Sequence, residues 1–424
     1  MKKKTKFKQT EVGMIPEDWD IKLVNNIAKI IGGGTPSTKV FKYWNGCIPW
    51  ITPKSLSNFK FRYICRGERN ITSEGLKNSS AKLIPANAVL LTTRAPVGYL
   101  AIAKNPLTTN QGFRSLVPNE NICTDFLFYL LKNNICVLKS NASGTVFEEL
   151  SGTRLKSLVF AVPNIKEQKS IAKILSDLDF KIELNHKMNK TLEDIAQTIF
   201  KHWFIDYEFP DENGTPYRSS GGEVVYSEEL GHEIPKGWQA STILKEFNLV
   251  MGQSPPGKSY NRNGDGMIFF QGRTDFGTRF PSVRMFCNEP TRLAKKGDTL
   301  VSVRAPVGDI NMSLQDCCIG RGLAALRHKS DDSSYTYYFM KNLRQVFDGF
   351  EAEGTVFGSL SKTNFEKIVV SVPFDKTLNS FKKIVSVFDE KLENNTLEIL
   401  GLGQIRDYLL PKLMSGKIRV PMET

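Results

Sequence analysis

Two stretches of the chain carry a helical period longer than a small domain needs. Ile171, Leu175, Leu178, Ile182, Asn185, Asn189, Leu192, Ala196, Ile199 and Trp203 step by alternating fours and threes, the heptad seam of a coiled coil. About 40 residues at roughly 1.5 Å each make a helix of roughly 60 Å. Phe381, Val385, Phe388, Leu392, Asn395, Ile399 and Leu402 repeat the seam further on. The pattern predicts two helices that pair; the alternative is two amphipathic helices, each on its own core. Asn185 and Asn395 both fall on the seam, where a polar residue costs stability but specifies register. Gly401 and Gly403 weaken a helix interior by roughly 1 kcal/mol each relative to Ala, which leaves a bend or break near residue 402 open.

The remaining pattern is shorter-ranged and occurs twice. Residues 89–93 and 300–303 read as strands, and 126–131 and 337–343 as apolar helices. Ile15-Pro16-Glu17-Asp18-Trp19 is echoed by Ile234-Pro235-Lys236-Gly237-Trp238, and Thr35-Pro36 by Ser254-Pro255, both at an offset of 219. Arg94-Ala95-Pro96-Val97-Gly98 returns as Arg304-Ala305-Pro306-Val307-Gly308, and Gly144-Thr145-Val146-Phe147 as Gly354-Thr355-Val356-Phe357, both at 210. The halves are therefore copies. Each runs from I-P-x-x-W through a Gly/Pro loop and mixed strands to a long helix, an α+β plan. The expected division is a basic N-terminal segment 1–15, a first domain 16–163, a central helix 164–206, a linker 207–233, a second domain 234–373, and a final helix and tail 374–424.

Composition narrows the partner. The 424 residues hold 57 Lys+Arg against 44 Asp+Glu, a net +13, which favours a polyanion, with nucleic acid first. The opening MKKKTKFKQTEVG lacks the apolar run of a secretory signal, and no stretch approaches a membrane span. Seven cysteines without a C-x-x-C pair give neither a disulfide framework nor a zinc site and fit a reducing cytoplasm.

Catalytic motifs are absent or weak. Gly252-Gln253-Ser254-Pro255-Pro256-Gly257-Lys258-Ser259 satisfies the pattern G-x-x-x-x-G-K-[ST]. A phosphate loop, however, needs successive N–H groups and a following helix N-terminus. Two prolines remove two donors, and residues 260–266 are too rich in Asn and Gly to start a helix. A Gly/Pro loop near DNA, with Lys258 on it, is the reading preferred over an NTPase. Four histidines without H-E-x-x-H spacing give a metal hydrolase little support. Asn105-Pro106-Leu107 lacks the second proline and the aromatic of an adenine-methyltransferase motif. The chain reads as non-catalytic, with no metal and no cofactor of its own.

Basic residues supply the DNA candidates. In Phe59-Lys60-Phe61-Arg62-Tyr63 a strand would put Lys60 and Arg62 on one face and rings on the other. Arg273, Arg279 and Arg284 stand in the corresponding region of the second copy, and Lys54 precedes the run in the first. A merely solvated basic face is the alternative. Arg94 and Arg304, identical in both copies, suit scaffold or phosphate contacts more than base reading. Base readers should sit where the copies diverge. Gln111 in Asn110-Gln111-Gly112-Phe113 corresponds to Arg321 in Gly320-Arg321-Gly322-Leu323; Gln suits adenine and Arg suits guanine.

Taken in order, these words resemble the specificity (S) subunit of type I restriction-modification systems. Three more runs carry the likeness: Lys181-Ile182-Glu183-Leu184-Asn185, Ala196-Gln197-Thr198-Ile199-Phe200-Lys201-His202-Trp203-Phe204 and Leu409-Leu410-Pro411-Lys412-Leu413-Met414-Ser415-Gly416. The resemblance implies two α/β target recognition domains separated by two long antiparallel coiled-coil helices. Each domain would read one half of a bipartite, asymmetric site on double-stranded DNA, and the helices would fix the unread spacer. It further implies two methyltransferase subunits and two restriction subunits as partners, which use S-adenosylmethionine, ATP and Mg, and no membrane. Trp203 and Phe204 are the expected methyltransferase anchors, with packing at the end of the helix pair as their alternative. A helical adaptor with only non-specific DNA binding is the competing function.

Overall fold

A computed structural model describes residues 5–144, 148–304, 306–352 and 358–421. Residues 145–147 and 354–357 of the G-T-V-F words, 1–4 of the basic opening, and 305 of the second R-A-P-V-G lie outside the described residues. The chain forms two compact units, one of residues 1–187 with 397–424, the other of 188–396. The division thus cuts both long helices instead of falling in the expected linker.

The first unit is built on a five-stranded sheet in the spatial order Ala28–Gly32, Phe113–Pro118, Val89–Thr92, Leu100–Ala103, Tyr63–Ile64, antiparallel except for the last pair. Val89–Thr92 is buried along its whole length, which explains its unbroken apolar run. Alternation then sorts its side chains. Val89 and Leu91 join the core under the helix Thr124–Asn133, with Ile171 and Leu175 of the long helix, while Leu90 faces a second core with Ala101 and Phe113. A smaller sheet pairs Trp44–Ile51 with Thr108–Thr109 and Arg69–Ile71.

The second unit repeats the plan. Phe247–Met251, Leu323–His328, Thr299–Ser302 and Ile310–Met312 take the order of their counterparts in the first unit, all antiparallel. Val301 faces the core shared with Tyr335 and Tyr338 of Ser333–Asn342, and Leu300 the opposite one.

The long helices run Ile165–Phe204 and Asp375–Met414. Asn164, just before the first, accepts from the Glu167 N–H at 3.0 Å, an N-cap that satisfies an orphan donor. Within the first unit Arg406 reaches Asp179 and Asn185 reaches Glu398, at 2.7 and 2.8 Å. Within the second, Asn395 donates to Asn189 at 2.8 Å and Phe200 packs on Phe381. Numbers rise along one helix as they fall along the other, so the segments pair antiparallel in each unit. Asn185 and Asn395 are buried. Gly401 and Gly403 lie inside the unbroken second helix.

Two expectations are corrected. The segment 207–233 is no loose linker. Phe209 stacks on Tyr217 and Trp238, and Val224–Ser227 forms a hairpin with His232–Pro235. Residues 59–62 are not a strand, for only Tyr63–Ile64 pairs, along the outer edge of Leu100–Ala103. Among the described residues, no helix is long and apolar enough to cross a membrane. All seven cysteines are free thiols.

Candidate nucleic-acid interface

Four turns meet at one end of the first unit's sheets. The Gly/Pro loop after Ala28–Gly32 is tied back by Gly34 N–H to Thr109 O, 2.9 Å, and by Trp50 Nε1 to Gly34 O, 3.0 Å. A Cβ on Gly33 would sit 2.0 Å from Asn110 O, so only glycine admits the contact. The turn 110–112 is held by Asn110 N–H on Ile51 O, 3.0 Å, and by Gly112 O accepting from Thr93 N–H, 2.8 Å. Pro53 packs beneath Gly112 and opens the one-turn helix Pro53–Leu56. These ties bring Gln111, Arg94 and Lys54 onto one rim, all exposed. Thr35 Oγ1 donates to Gln111 Oε1 at 2.5 Å, orienting the amide.

The second unit builds the same rim with other side chains. Gly252 N–H bonds Leu323 O, Gly320 N–H bonds Phe270 O, and Val303 N–H bonds Gly322 O, all at 2.8–2.9 Å. Arg321 takes the place of Gln111, its N–H 3.3 Å from Ser254 Oγ, where Thr35 stands in the first copy. Arg273 stands for Lys54 and Arg304 for Arg94, and all three arginines are exposed. Gln271 is a rim residue that motif reading missed. It occupies the place of Thr52, which the 219-residue offset would have revealed, and it abuts Gly322.

The rim cations rest on exchangeable partners. Arg94 meets Glu149 at 3.0 Å, Lys54 meets Glu68 at 3.1 Å and Arg273 meets Asp309 at 2.6 Å. Such surface pairs are worth roughly 0–1 kcal/mol, so a phosphate can displace the carboxylate. Burial alone would raise the Asp309 carboxyl, but Arg273 and Arg344 hold it below the usual range. Arg284 grips the buried Asp275 at 2.5 Å. Asp275 in turn accepts from the Gln271 N–H at 2.8 Å, so Arg284 braces the turn beneath the rim.

Other candidates lie elsewhere. Lys258 is exposed on the single turn Gly257–Ser259, which leads into the strand Tyr260–Asn261 and not into a helix, so the loop lacks the helix N-terminus of a phosphate cradle. Lys60 is exposed beside the first long helix, where burial first and its charge second push the His186 pKa down. Four candidates are withdrawn from surface contact because the fold buries them. Arg279 is 4% exposed, sealed against Glu193 and Asp389. The Arg62 side chain is 11% exposed, against Asp125 and Glu183. Trp203 and Phe204 are buried on Phe381 and Trp238. Among the described residues, no cluster of His, Cys, Asp or Glu could hold a metal ion.

The duplicated α+β fold presents the same basic rim twice, with side chains differing at the matched positions, two surfaces suited to reading DNA. The family model of the type I restriction modification DNA specificity domain matches residues 16–194 and 235–401. The chain belongs to this family. It is 35% identical to the type I restriction enzyme MjaIX specificity subunit of Methanocaldococcus jannaschii, over 98% of this chain and 97% of that one. It is 29% identical to the putative MjaX specificity subunit of the same organism, over 99% and 98%. The crystal structure of a type I restriction-modification S subunit from M. genitalium shares the fold, with a TM-score of 0.58 at 18% identity, covering 99% of this chain and all of that one.

Proposed function

We propose that the chain is the non-catalytic DNA-reading subunit of a type I restriction-modification complex, each unit's rim reading one half of a bipartite, asymmetric site. The observation that carries this reading is the matched frame in which Gln111 of one copy corresponds to Arg321 of the other. Two copies of one scaffold, differing where a side chain reaches outward, suit two different half-sites. Gln111 pairs with adenine and Arg321 with guanine, while Lys54, Arg94, Arg273 and Arg304 neutralise phosphates. The paired helices, with Asn185 and Asn395 fixing register, set the spacer.

The helices also dock two methyltransferase subunits, which bring S-adenosylmethionine. Two restriction subunits bring ATP and Mg, and the complex works in the cytoplasm. With Trp203 and Phe204 buried, exposed apolar residues such as Phe180, Leu184 and Val387 are the better anchors.

Methylome sequencing of a host carrying the system gives both half-sites and the spacer. The chain with its methyltransferase binds that duplex far more tightly than a scrambled one across a salt titration, and equal affinity for both refutes the reading. Arg321→Ala weakens discrimination at one base pair of one half-site by about 1–3 kcal/mol and leaves the other half unchanged.

A further inference from the structure

Arg62 and Arg279 stand 217 residues apart, an interval that matches neither repeat offset, yet they hold the same place. Arg62 O accepts from Ile102 N–H at 2.7 Å, and Arg279 O accepts from Met312 N–H at 2.8 Å. Ile102 and Met312 are equivalent residues of the two copies, so each recognition sheet fixes the backbone of one arginine at the same edge position. From there both side chains turn inward toward the long helices.

In the second unit the guanidinium bridges two helices. Nη1 donates to Glu193 on the first long helix and Nη2 pairs with Asp389 on the second, both at 2.7 Å. Tyr338 Oη lies 2.7 Å from Nη1, and the Tyr337 ring lies under the guanidinium at 4.1 Å. The carboxylates are tied to the recognition domain as well. Tyr337 Oη and Lys341 Nζ donate to Glu193 at 2.9 and 2.5 Å, and Ser334 Oγ donates to Asp389 at 2.6 Å. The first unit is looser. Arg62 Nη1 meets Asp125 of its own domain at 2.9 Å, its Nε lies 3.8 Å from Glu183, and the backbone N–H of Arg62 makes the shorter bond to Glu183, 2.7 Å.

We infer that Arg279, which holds both long helices, and more weakly Arg62, which holds the first alone, are positioning residues that lock each recognition domain to its helical support and so make the spacer length a sharp selection. A planar fork that meets one carboxylate on each of two helices tolerates little sliding. One base pair of spacer displaces a reader by about 3.4 Å along the duplex, which carries a 2.7 Å contact out of ion-pair range. A domain held only by apolar packing would yield more readily, because such packing is non-directional. The inference rests on the proposal that the helices set the spacer.

The test uses the full chain with its methyltransferase, assayed on duplexes that carry both half-sites with the native spacer or with one base pair more or fewer. Wild type favours the native spacer. Arg279→Met and the isosteric Asp389→Asn lower that preference about tenfold while the bases required in each half-site stay the same. Arg279→Lys, which reaches one carboxylate at a time, falls between. Arg62→Met has a smaller effect, because its backbone bond to Glu183 survives. Tyr338→Phe, which removes a single hydroxyl, serves where a bolder variant does not fold and lowers the preference less. Variants as selective as wild type, even if less stable, overturn the inference alone. A wild type indifferent to spacer length overturns both it and the ruler proposal.

Discussion

His328 ends a core strand in contact with the rings of Phe247 and Tyr335, and its Nδ1 accepts from the Ser330 N–H at 3.2 Å. Burial pushes its pKa below the ordinary 6.5, so the folded state keeps the imidazole neutral. As pH falls below about 6.5 the unfolded chain takes up a proton that the folded chain refuses, and stability drops until the folded pKa is passed. His328→Asn, which keeps an acceptor near Nδ1, lacks this titration. The variant is therefore less stable than wild type at about pH 7.5, and the gap narrows by about pH 5.5. Urea midpoints measure it, and a constant gap counts against a neutral His328. At this scale the sequence was least informative. Arg279 and Arg321 are both arginines in basic surroundings, and only the packed helices distinguish the sealed one from the one in solvent. Trp203 and Phe204 failed for the same reason, since an aromatic at a helix end reads alike whether it meets solvent or Phe381. Gln111 and Arg321 were readable because a duplicated frame supplies its own comparison.

Elements were read better, because a long period averages over local conflicts. No residue of either seam is exposed. Gly401 and Gly403 posed the opposite question, and the second helix runs through both. A Cβ at either would meet nothing within 4 Å, so their backbone freedom weakens the helix without serving a close approach inside the chain. Gly401→Ala and Gly403→Ala each stabilise the protein by about 1 kcal/mol, read as a rise in urea midpoint. A fall at either position would mean that the helix is bent there in solution. The segment 59–63 was misread because five alternating residues fit a strand as well as an irregular turn, and the edge of Leu100–Ala103 offered only Tyr63 and Ile64 a partner.

At the scale of the whole molecule, the repeat predicted two domains in series, but the first compact unit is assembled from both ends of the chain. Leu413 and Met414 pack into the same core as Trp19. Arg419 donates to the buried Glu167 at 2.8 and 3.0 Å and to Asp18 at 2.9 and 2.6 Å. Trp19 Nε1 also donates to Glu167, at 3.1 Å. Contacts between residues so far apart in the chain leave no local pattern, so the sequence could not show them. They govern how a domain exchange behaves. Replacing residues 16–163 with the same region of another specificity subunit should change one half of the methylated site and leave the other as it was. The incoming domain must still meet Glu167, Asp179 and Glu183 on the first long helix and Arg419 in the tail. Glu167 keeps Arg419 and Asp179 keeps Arg406, but each donor the new domain lacks removes a buried hydrogen bond at about 1–3 kcal/mol. Tyr129 Oη donates to the buried Asp179 at 2.7 Å, so grafts whose donors carry Trp, Arg and Tyr at the positions of Trp19, Arg62 and Tyr129 should keep a wild-type melting temperature. Others should regain it only when 164–187 and 397–424 are exchanged together with the domain. Methylome sequencing reports the first effect and thermal melts the second. Independent reading is refuted if both half-sites change, and the shared-end unit is refuted if mismatched grafts melt like wild type.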